Sequence, residues 1–438
     1  MKPTFFSFSF GCRINQAEKE TIDRALLASG FSFDPLQPSL YIVNTCSVTQ
    51  KADREARQLI YQVRRKLPKT KIVVTGCAVT NWQKNDLYRS LPIDLAVDNL
   101  NKEFLVKLIL ARLVHPKGVP GSFHLASYNL RGCIGAQKGS KFLNSGRLLI
   151  KIQDGCHRFC SFCIVPYLRG LPKSPKISEI ISRIKNSKED LSEVILTAVN
   201  TEAFGRDTGE KFTDLIQSVF KETKIKRLSF GSIHPWSINN DFFKIYKKYL
   251  PTKRFVRFFH IPLQSGSNRM LTLMKRGYKR EEFIEKLNYL KKLNPLVFIG
   301  TDVIVGFLEE TDTDFTETYE LLKNSPIARF HVFRFSKREQ TAAFYLAKRL
   351  KEPSDSVKMK RAKILADLSK KKYQDFLQKH VGVSLDSLIL EKKFNGLREV
   401  LLENQIPAYV RVDDDLVGEI KPVKIMEFRN GILRGRII

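Results

Sequence analysis

Three cysteines stand close together in KIQDGCHRFCSFCIVPYLRG, at Cys156, Cys160 and Cys163, in the spacing C-x3-C-x2-C. A closed structural zinc site takes four protein ligands, so the triplet is one short unless a distant group such as His157 or Cys133 completes it. A four-iron, four-sulfur cluster held by three thiolates would leave one iron open to a non-protein ligand, and an open iron is a place for chemistry. Spacing alone leaves both readings standing. The other cysteines are Cys12, Cys46, Cys77 and Cys133. In a reducing compartment such a set is better suited to metal or redox chemistry than to a disulfide framework.

Position along the chain says which of these thiols can meet. Cys12, Cys46 and Cys77 follow FFSFSFG, LYIVNT and KIVVTG, short apolar runs of strand length, with the helix-like stretches NQAEKETIDRALLASG and QKADREARQLIYQVRRKL between them. The order β-α-β-α-β implies a parallel, helix-covered sheet, in which the carboxyl ends of the strands share one edge. Three cysteines placed just after three such strands are expected to converge there.

A Gly-, Ser- and base-rich stretch at 119–145 reads as a linker or lid, and Cys133 within it as a bystander. Six strand-like runs follow, beginning at RLLIKIQ, EVILTAV, KRLSFGSI, VRFFHIPL, VFIGTDVIVGF and RFHVFRF, with helical stretches between most of them. That recurrence predicts a partial (β/α)6 barrel, whose chemistry lies at the carboxyl ends of its strands, where Cys156 begins its triplet. A charged helical stretch from about 338 to 375 precedes a segment of alternating pattern with turn signals at Asn395-Gly396 and Asn430-Gly431. The expected fold class is therefore α/β. An N-terminal parallel α/β domain spans 1–118, the linker 119–145, the partial barrel 146–375 and a small all-β barrel 376–438.

The chain of 438 residues carries 75 Lys and Arg against 45 Asp and Glu, a formal charge of +30. Such an excess suits a polyanionic partner, RNA or DNA before an acidic membrane surface. The opening MKPTFFSFSFGC has no apolar leader core, and no run approaches the roughly 20 apolar residues of a membrane span. The expectation is a cytoplasmic protein without membrane contact.

With Phe162 directly before Cys163, the triplet resembles the C-x3-C-x-aromatic-C signature of the radical S-adenosylmethionine superfamily. Beyond it, GCRINQAEKE, NTCSVTQKADRE, VTGC, HIPLQSGSNRML and IGTDVIVGF resemble successive motifs of its methylthiotransferases over nearly the whole chain. The resemblance implies two 4Fe-4S clusters, one on Cys156, Cys160 and Cys163 and a second on Cys12, Cys46 and Cys77. It implies that S-adenosylmethionine chelates the open iron of the first and that one electron from this cluster cleaves it to a 5′-deoxyadenosyl radical, with an electron donor of unknown identity as a further partner. Phe162, Gln264, Ser265 and Asp302 are expected near that cofactor, and no catalytic side chain is indicated beyond the cluster ligands. For Gln264, Ser265 and Asp302, capping of a strand end is an equally open role. The C-terminal β domain looks like a TRAM domain, an RNA-binding barrel.

Arg13, Ile14, Gln16 and Thr49 make the first two cysteine motifs most similar to the branch that acts on N6-threonylcarbamoyladenosine, just 3′ of the anticodon in tRNA. The alternatives are the isopentenyladenosine branch, the branch acting on an aspartate of a ribosomal protein, and a non-catalytic iron-sulfur RNA-binding protein. Several positions depart from the family pattern: His234 for a carboxylate in GSIHP, Leu308 and Glu309 for Pro and Gly in GFLEET, SKREQT for Ser-Pro-Arg-Pro-Gly-Thr, and Glu202 for a common glycine. Reduced activity is the expected extent of their effect.

Overall fold

The computed structural model describes residues 2–114, 146–187 and 191–438. The expected linker, with Cys133, lies outside the described residues.

The first unit runs β1 (Thr4–Ser9), α1 (Arg13–Ala28), β2 (Ser32–Phe33), β3 (Leu40–Thr45), α2 (Gln50–Lys66), β4 (Lys71–Gly76), α3 (Cys77–Lys84), β5 (Leu95–Val97) and α4 (Leu105–Ile109). Its sheet is parallel throughout, in the order β2-β1-β3-β4-β5. Ile42, Val43, Ile72, Val73 and Val74 are fully or almost fully buried, as strands covered on both faces require. The start of α2 is set by Thr49, whose hydroxyl accepts from the Ala52 N–H, with Asp53 in the first turn and Arg64, Arg65 and Lys66 in the last. The three-residue β5 carries too little pattern to be seen in the sequence.

The second unit contains β6 (Arg147–Gln153), α5 (Val165–Arg169), α6 (Ile177–Lys185), β7 (Glu193–Ala198), α7 (Phe212–Glu222), β8 (Arg227–Phe230) and α8 (Asn240–Tyr249). It continues through β9 (Phe258–His260), α9 (Asn268–Leu273), α10 (Arg280–Leu293), β10 (Phe298–Val305), α11 (Asp312–Asn324), β11 (Arg329–Arg334), α12 (Ala342–Leu346) and α13 (Asp355–Gln378). Strands β6-β7-β8 and β9-β10-β11 form two parallel sheets, joined at the Leu228–Phe255 bridge into one arc of six. The expected strands are thus those observed. Ile150, Ile152, Leu196, Phe230, Phe259 and Val305 belong to its core, and α1 of the first unit packs against β6 and β7.

The charged stretch from 338 is helical only over α12 and α13, since Pro353 stands just before Ser354, the N-cap of α13. Far from being wholly solvated, α13 buries Arg361, Leu365 and Ser369. It also runs through the expected boundary at 375, and its Phe376 and Leu377 enter the core of the third unit.

That unit, β12 (Ser384–Phe394), β13 (Leu397–Leu402), β14 (Pro407–Val410), β15 (Ile420–Arg429) and β16 (Ile432–Ile437), is a closed barrel in the order β12-β13-β14-β16-β15. Both Asn-Gly pairs take positive φ at each residue, the geometry of tight hairpin turns. The barrel docks on the amino ends of the arc: Arg227 donates to the Asp386 and Leu401 carbonyls at 2.7 and 3.1 Å, and Arg257 pairs with Glu403 at 2.7 Å. No helix among the described residues is long and apolar enough to cross a membrane.

A glycine with positive φ precedes the first cysteine after each of β1, β4 and β6: Gly11, Gly76 and Gly155. At Gly155 a Cβ would come within 2.1 Å of the Leu171 carbonyl oxygen. Gly155→Ala should therefore cost about 2 kcal/mol or more in chemical unfolding, and should lower the iron bound by the reconstituted protein.

Candidate active site

Cys12 is the N-cap of α1, Cys46 follows β3 directly, and Cys77 opens α3 directly after β4. Because β1, β3 and β4 are neighbours, all three stand on one sheet edge, as the alternation predicts. Asn15 ties the edge together, donating to the Phe10 and Thr45 carbonyls at 2.8 and 3.0 Å, just before Cys12 and Cys46. Burial, with Cys77 and Cys12 adding to it, pushes the Cys46 thiol up to about 12. Three thiolates crowded together cannot all be charged without a cation to offset them.

The barrel triplet occupies the loop after β6. Its backbone is held from two sides: Cys156 N–H donates to the Gly170 carbonyl at 3.0 Å, and Ser161 N–H to that of Met274 at 3.1 Å. Two side chains face its sulfurs, Asn200 at 3.8 Å from Cys156 Sγ and Arg276 at 3.4 Å from Cys160 Sγ. Burial pushes the Cys163 thiol up to about 12. Phe162 packs against an apolar cluster of Met270, Met274, Phe307 and Leu308, its ring 6.5 Å from that of Phe307.

The two loops meet. Cys77 packs with Ile164 and Leu168, which follow Cys163, and α3 lies on α5. Arg169, at the end of α5, crosses into the first unit: its guanidinium donates to Glu18 and Asp154, each at 2.9 Å, and to Asn15 Oδ1 at 2.8 Å. Glu18 also receives Lys102 at 2.6 Å and Lys151 at 2.9 Å. These cations hold the Glu18 carboxyl well below the ordinary range, and Lys151 and Arg169 hold Asp154 down at about 2, both against the opposing cost of burial. A second bridge is Arg338, which donates to Ser47 Oγ at 2.6 Å, next to Cys46.

Between the units lies a cavity of about 820 Å³. Cys12, Cys46 and Cys77 line one wall, and Thr197, Gly231, His234, His260 and His331 of the barrel line the other. Burial, reinforced by Arg276, pushes His234 down to about 3, so it faces this space as a neutral imidazole. Asp302 pairs with His260 at 3.0 Å. Gln264 has φ 78° and is bridged through its backbone to Val303. Ser265 is 1% exposed, with its hydroxyl 3.3 Å from that of Thr318. Among the positions that depart from the family pattern, Leu308 fills the cluster beneath Phe162, and Glu202 pairs with Arg158 and Arg206 at 3.3 and 3.0 Å. Glu309 and Gln340, at positions where glycine is usual, keep positive φ of 58° and 71°. Glu18, Arg169 and Arg276 escaped the sequence reading as members of this site, because Glu18 and Arg169 meet 151 residues apart and Arg276 meets Cys160 across 116, and Arg13, read there only as a mark of the branch, is placed at the site by the fold.

The radical SAM superfamily model matches residues 150–322, and the model of the uncharacterised protein family UPF0004 matches residues 4–98. The chain is 35% identical to the threonylcarbamoyladenosine tRNA methylthiotransferase MtaB of Aquifex aeolicus, over 91% of this chain and 94% of that protein. The chain belongs to the radical SAM methylthiotransferase family. Against the tRNA-2-methylthio-N(6)-dimethylallyladenosine synthase of the same organism the identity is 28%, over 100% of this chain and 99% of that protein. A solved radical S-adenosylmethionine methyltransferase from Kitasatospora setae shares the fold, with a TM-score of 0.53 at 11% identity, covering 76% of this chain and 72% of that one.

The cofactors of this methylthiotransferase are two 4Fe-4S clusters and S-adenosylmethionine. Among the described residues no three His, Cys, Asp or Glu side chains are grouped to hold a single metal ion. A cluster does not need that grouping, since each thiolate binds a different iron. The zinc alternative fits less well: His157 faces Glu202 at 3.7 Å. The two triplets could each hold a cluster, with iron replacing the thiol protons.

Removing one member of the Glu18 network leaves buried cations unmatched. Glu18→Gln should lower the unfolding free energy of the protein by about 3–5 kcal/mol in denaturant titrations, whereas an exposed pair such as Lys51–Glu55 should be worth under about 1 kcal/mol.

Proposed function

We propose that this methylthiotransferase replaces the hydrogen at carbon 2 of N6-threonylcarbamoyladenosine in tRNA with a methylthio group. The observation that carries the branch is the comparison within one organism, Aquifex aeolicus, where the threonylcarbamoyladenosine enzyme is the more similar of the two relatives. In this reading Cys156, Cys160 and Cys163 hold the cluster that binds S-adenosylmethionine, and Cys12, Cys46 and Cys77 hold the one that presents sulfur.

An aromatic C–H offers no usable acid or base route to C–S, so the bound cluster and S-adenosylmethionine supply the radical that removes the hydrogen. The chain's own residues do the rest. Arg169 and Arg338 lock the first unit over the barrel mouth, so that the first triplet lines the cavity while Val165 and Arg169, just beyond the second triplet, line it from the barrel side. The cavity between them has the size of a small-molecule pocket and can receive a base turned out of an anticodon loop. Arg276 and Asn200 point N–H donors at the barrel sulfurs, an arrangement that raises a cluster's potential. His234, neutral, adds no charge beside the cofactor. The +30 charge serves the tRNA backbone, and with tRNA as substrate the protein works in the cytoplasm, fed by a one-electron donor and needing no membrane.

Anaerobically reconstituted protein should bind about eight irons, as two four-iron clusters require. Replacing Cys156, Cys160 and Cys163 by alanine should halve the iron and abolish 5′-deoxyadenosine formation. Replacing Cys12, Cys46 and Cys77 should halve the iron yet leave some 5′-deoxyadenosine formation without methylthio product; product from this variant would remove the sulfur-presenting role. Nucleoside mass spectrometry should show the methylthio group on tRNA bearing threonylcarbamoyladenosine, with isopentenyladenosine tRNA nearly unmodified. The reverse preference in direct competition would overturn the branch.

A further inference from the structure

Three guanidiniums line the cavity between the units: Arg13, Arg147 and Arg169. Two are already engaged. Arg147 is held by Glu193 and Gln405, each at 2.9 Å, and Arg169 by Glu18, Asp154 and Asn15. Arg13 is different, for among the described residues nothing hydrogen-bonds or ion-pairs with it. Its neighbours are Arg147, which repels it, and Glu193, which is already bonded to Arg147 and Ser229. Among the described residues the one carboxyl lining the cavity is Glu20, two turns further along α1, and burial pushes that group up to about 7.

The position of Arg13 is equally specific. It follows Cys12 in sequence, and its stem lies across the end of β8, where a Cβ on Gly231 would stand 3.5 Å from Arg13 Cδ. The side chain therefore spans from the first triplet to the barrel wall, inside the space the base must enter. A partly desolvated guanidinium with no partner is costly, and a carboxylate bound in a two-pronged contact offsets that cost better than water does. The threonyl group of the proposed substrate carries one carboxylate, on the substituent at N6.

We propose that Arg13 binds the carboxylate of the N6-threonylcarbamoyl group and so selects the anionic substituent over neutral ones. The assignment rests on the proposed function. The contact pairs the two N–H groups of the guanidinium with the two carboxylate oxygens, and no bond is made or broken.

The test compares anticodon stem-loop RNAs that differ only in whether the threonyl group ends in a carboxylate or in the isosteric, neutral carboxamide. Binding to the cluster-loaded protein is read by fluorescence anisotropy without turnover, so the readout does not depend on catalysis. The wild-type protein should bind the carboxylate RNA about 10- to 100-fold more tightly. Arg13→Gln should bring that ratio close to one, and Arg13→Lys should keep part of it. Each protein is scored by its own ratio, so a general loss of RNA affinity or of iron cancels. A wild-type ratio near one, or the wild-type ratio retained in Arg13→Gln, overturns the assignment. Failure of the function reading looks different: wild-type protein would then leave the carboxylate RNA without a methylthio group while modifying another base.

Discussion

A buried set of charges at the junction of the first two units governs this structure. Arg169, Lys102 and Lys151 converge on Glu18 and Asp154, contributed by α1, by the segment before α4, by β6 and its end, and by α5. Burying Glu18, Lys102 and Arg169, with Lys151 and Asp154 half-buried beside them, is costly, and the cost is offset only when every partner is in place. The network therefore works as a registration device more than as a source of net stability. With it assembled, α3 lies on α5, Cys77 packs against Ile164, and the two cysteine loops are fixed relative to each other.

The same constraint shapes the electrostatics of the site. Three cations against two carboxylates leave the junction with a net positive charge, and Arg169 stands beside Cys77. A positive neighbour would offset the negative charge that a thiolate-held cluster brings to this edge. Arg276 plays the corresponding part at Cys160. Each triplet has an arginine beside it, although the two arginines arrive from different directions, one from α5 and one from the turn after α9.

The loops around the barrel mouth keep their shape where their sequence departs from the family pattern. Glu309 and Gln340 hold the left-handed backbone that glycine would adopt freely, each at a cost of about 1–2 kcal/mol. That cost is tolerated because neighbours fix the loops: Leu308 is fully buried beneath Phe162, and Glu309 N–H donates to the Lys351 carbonyl at 2.8 Å. The third unit stays away from this region, docked on the amino ends of the strands.

Much of this was legible in the sequence. The β-α-β-α-β order placed Cys12, Cys46 and Cys77 on one edge, since parallel strands leave no other arrangement for residues that follow them. The recurrence of strands after 146 yielded the arc of six, and the Asn-Gly pairs yielded the hairpins of the last barrel. These are local or periodic signals, carried by side-chain alternation and by backbone preferences of single residues. What only the tertiary structure decided is which polar side chains meet. Glu18 and Arg169 are 151 residues apart, Arg338 and Ser47 are 291 apart, and no spacing rule links them. Nor could the sequence distinguish Arg13, unpaired in the cavity, from Arg147 and Arg169, which are spent on carboxylates. Pairing is a property of three-dimensional neighbours, and the same guanidinium is a structural tie or an available cation according to what the fold brings within 3 Å of it.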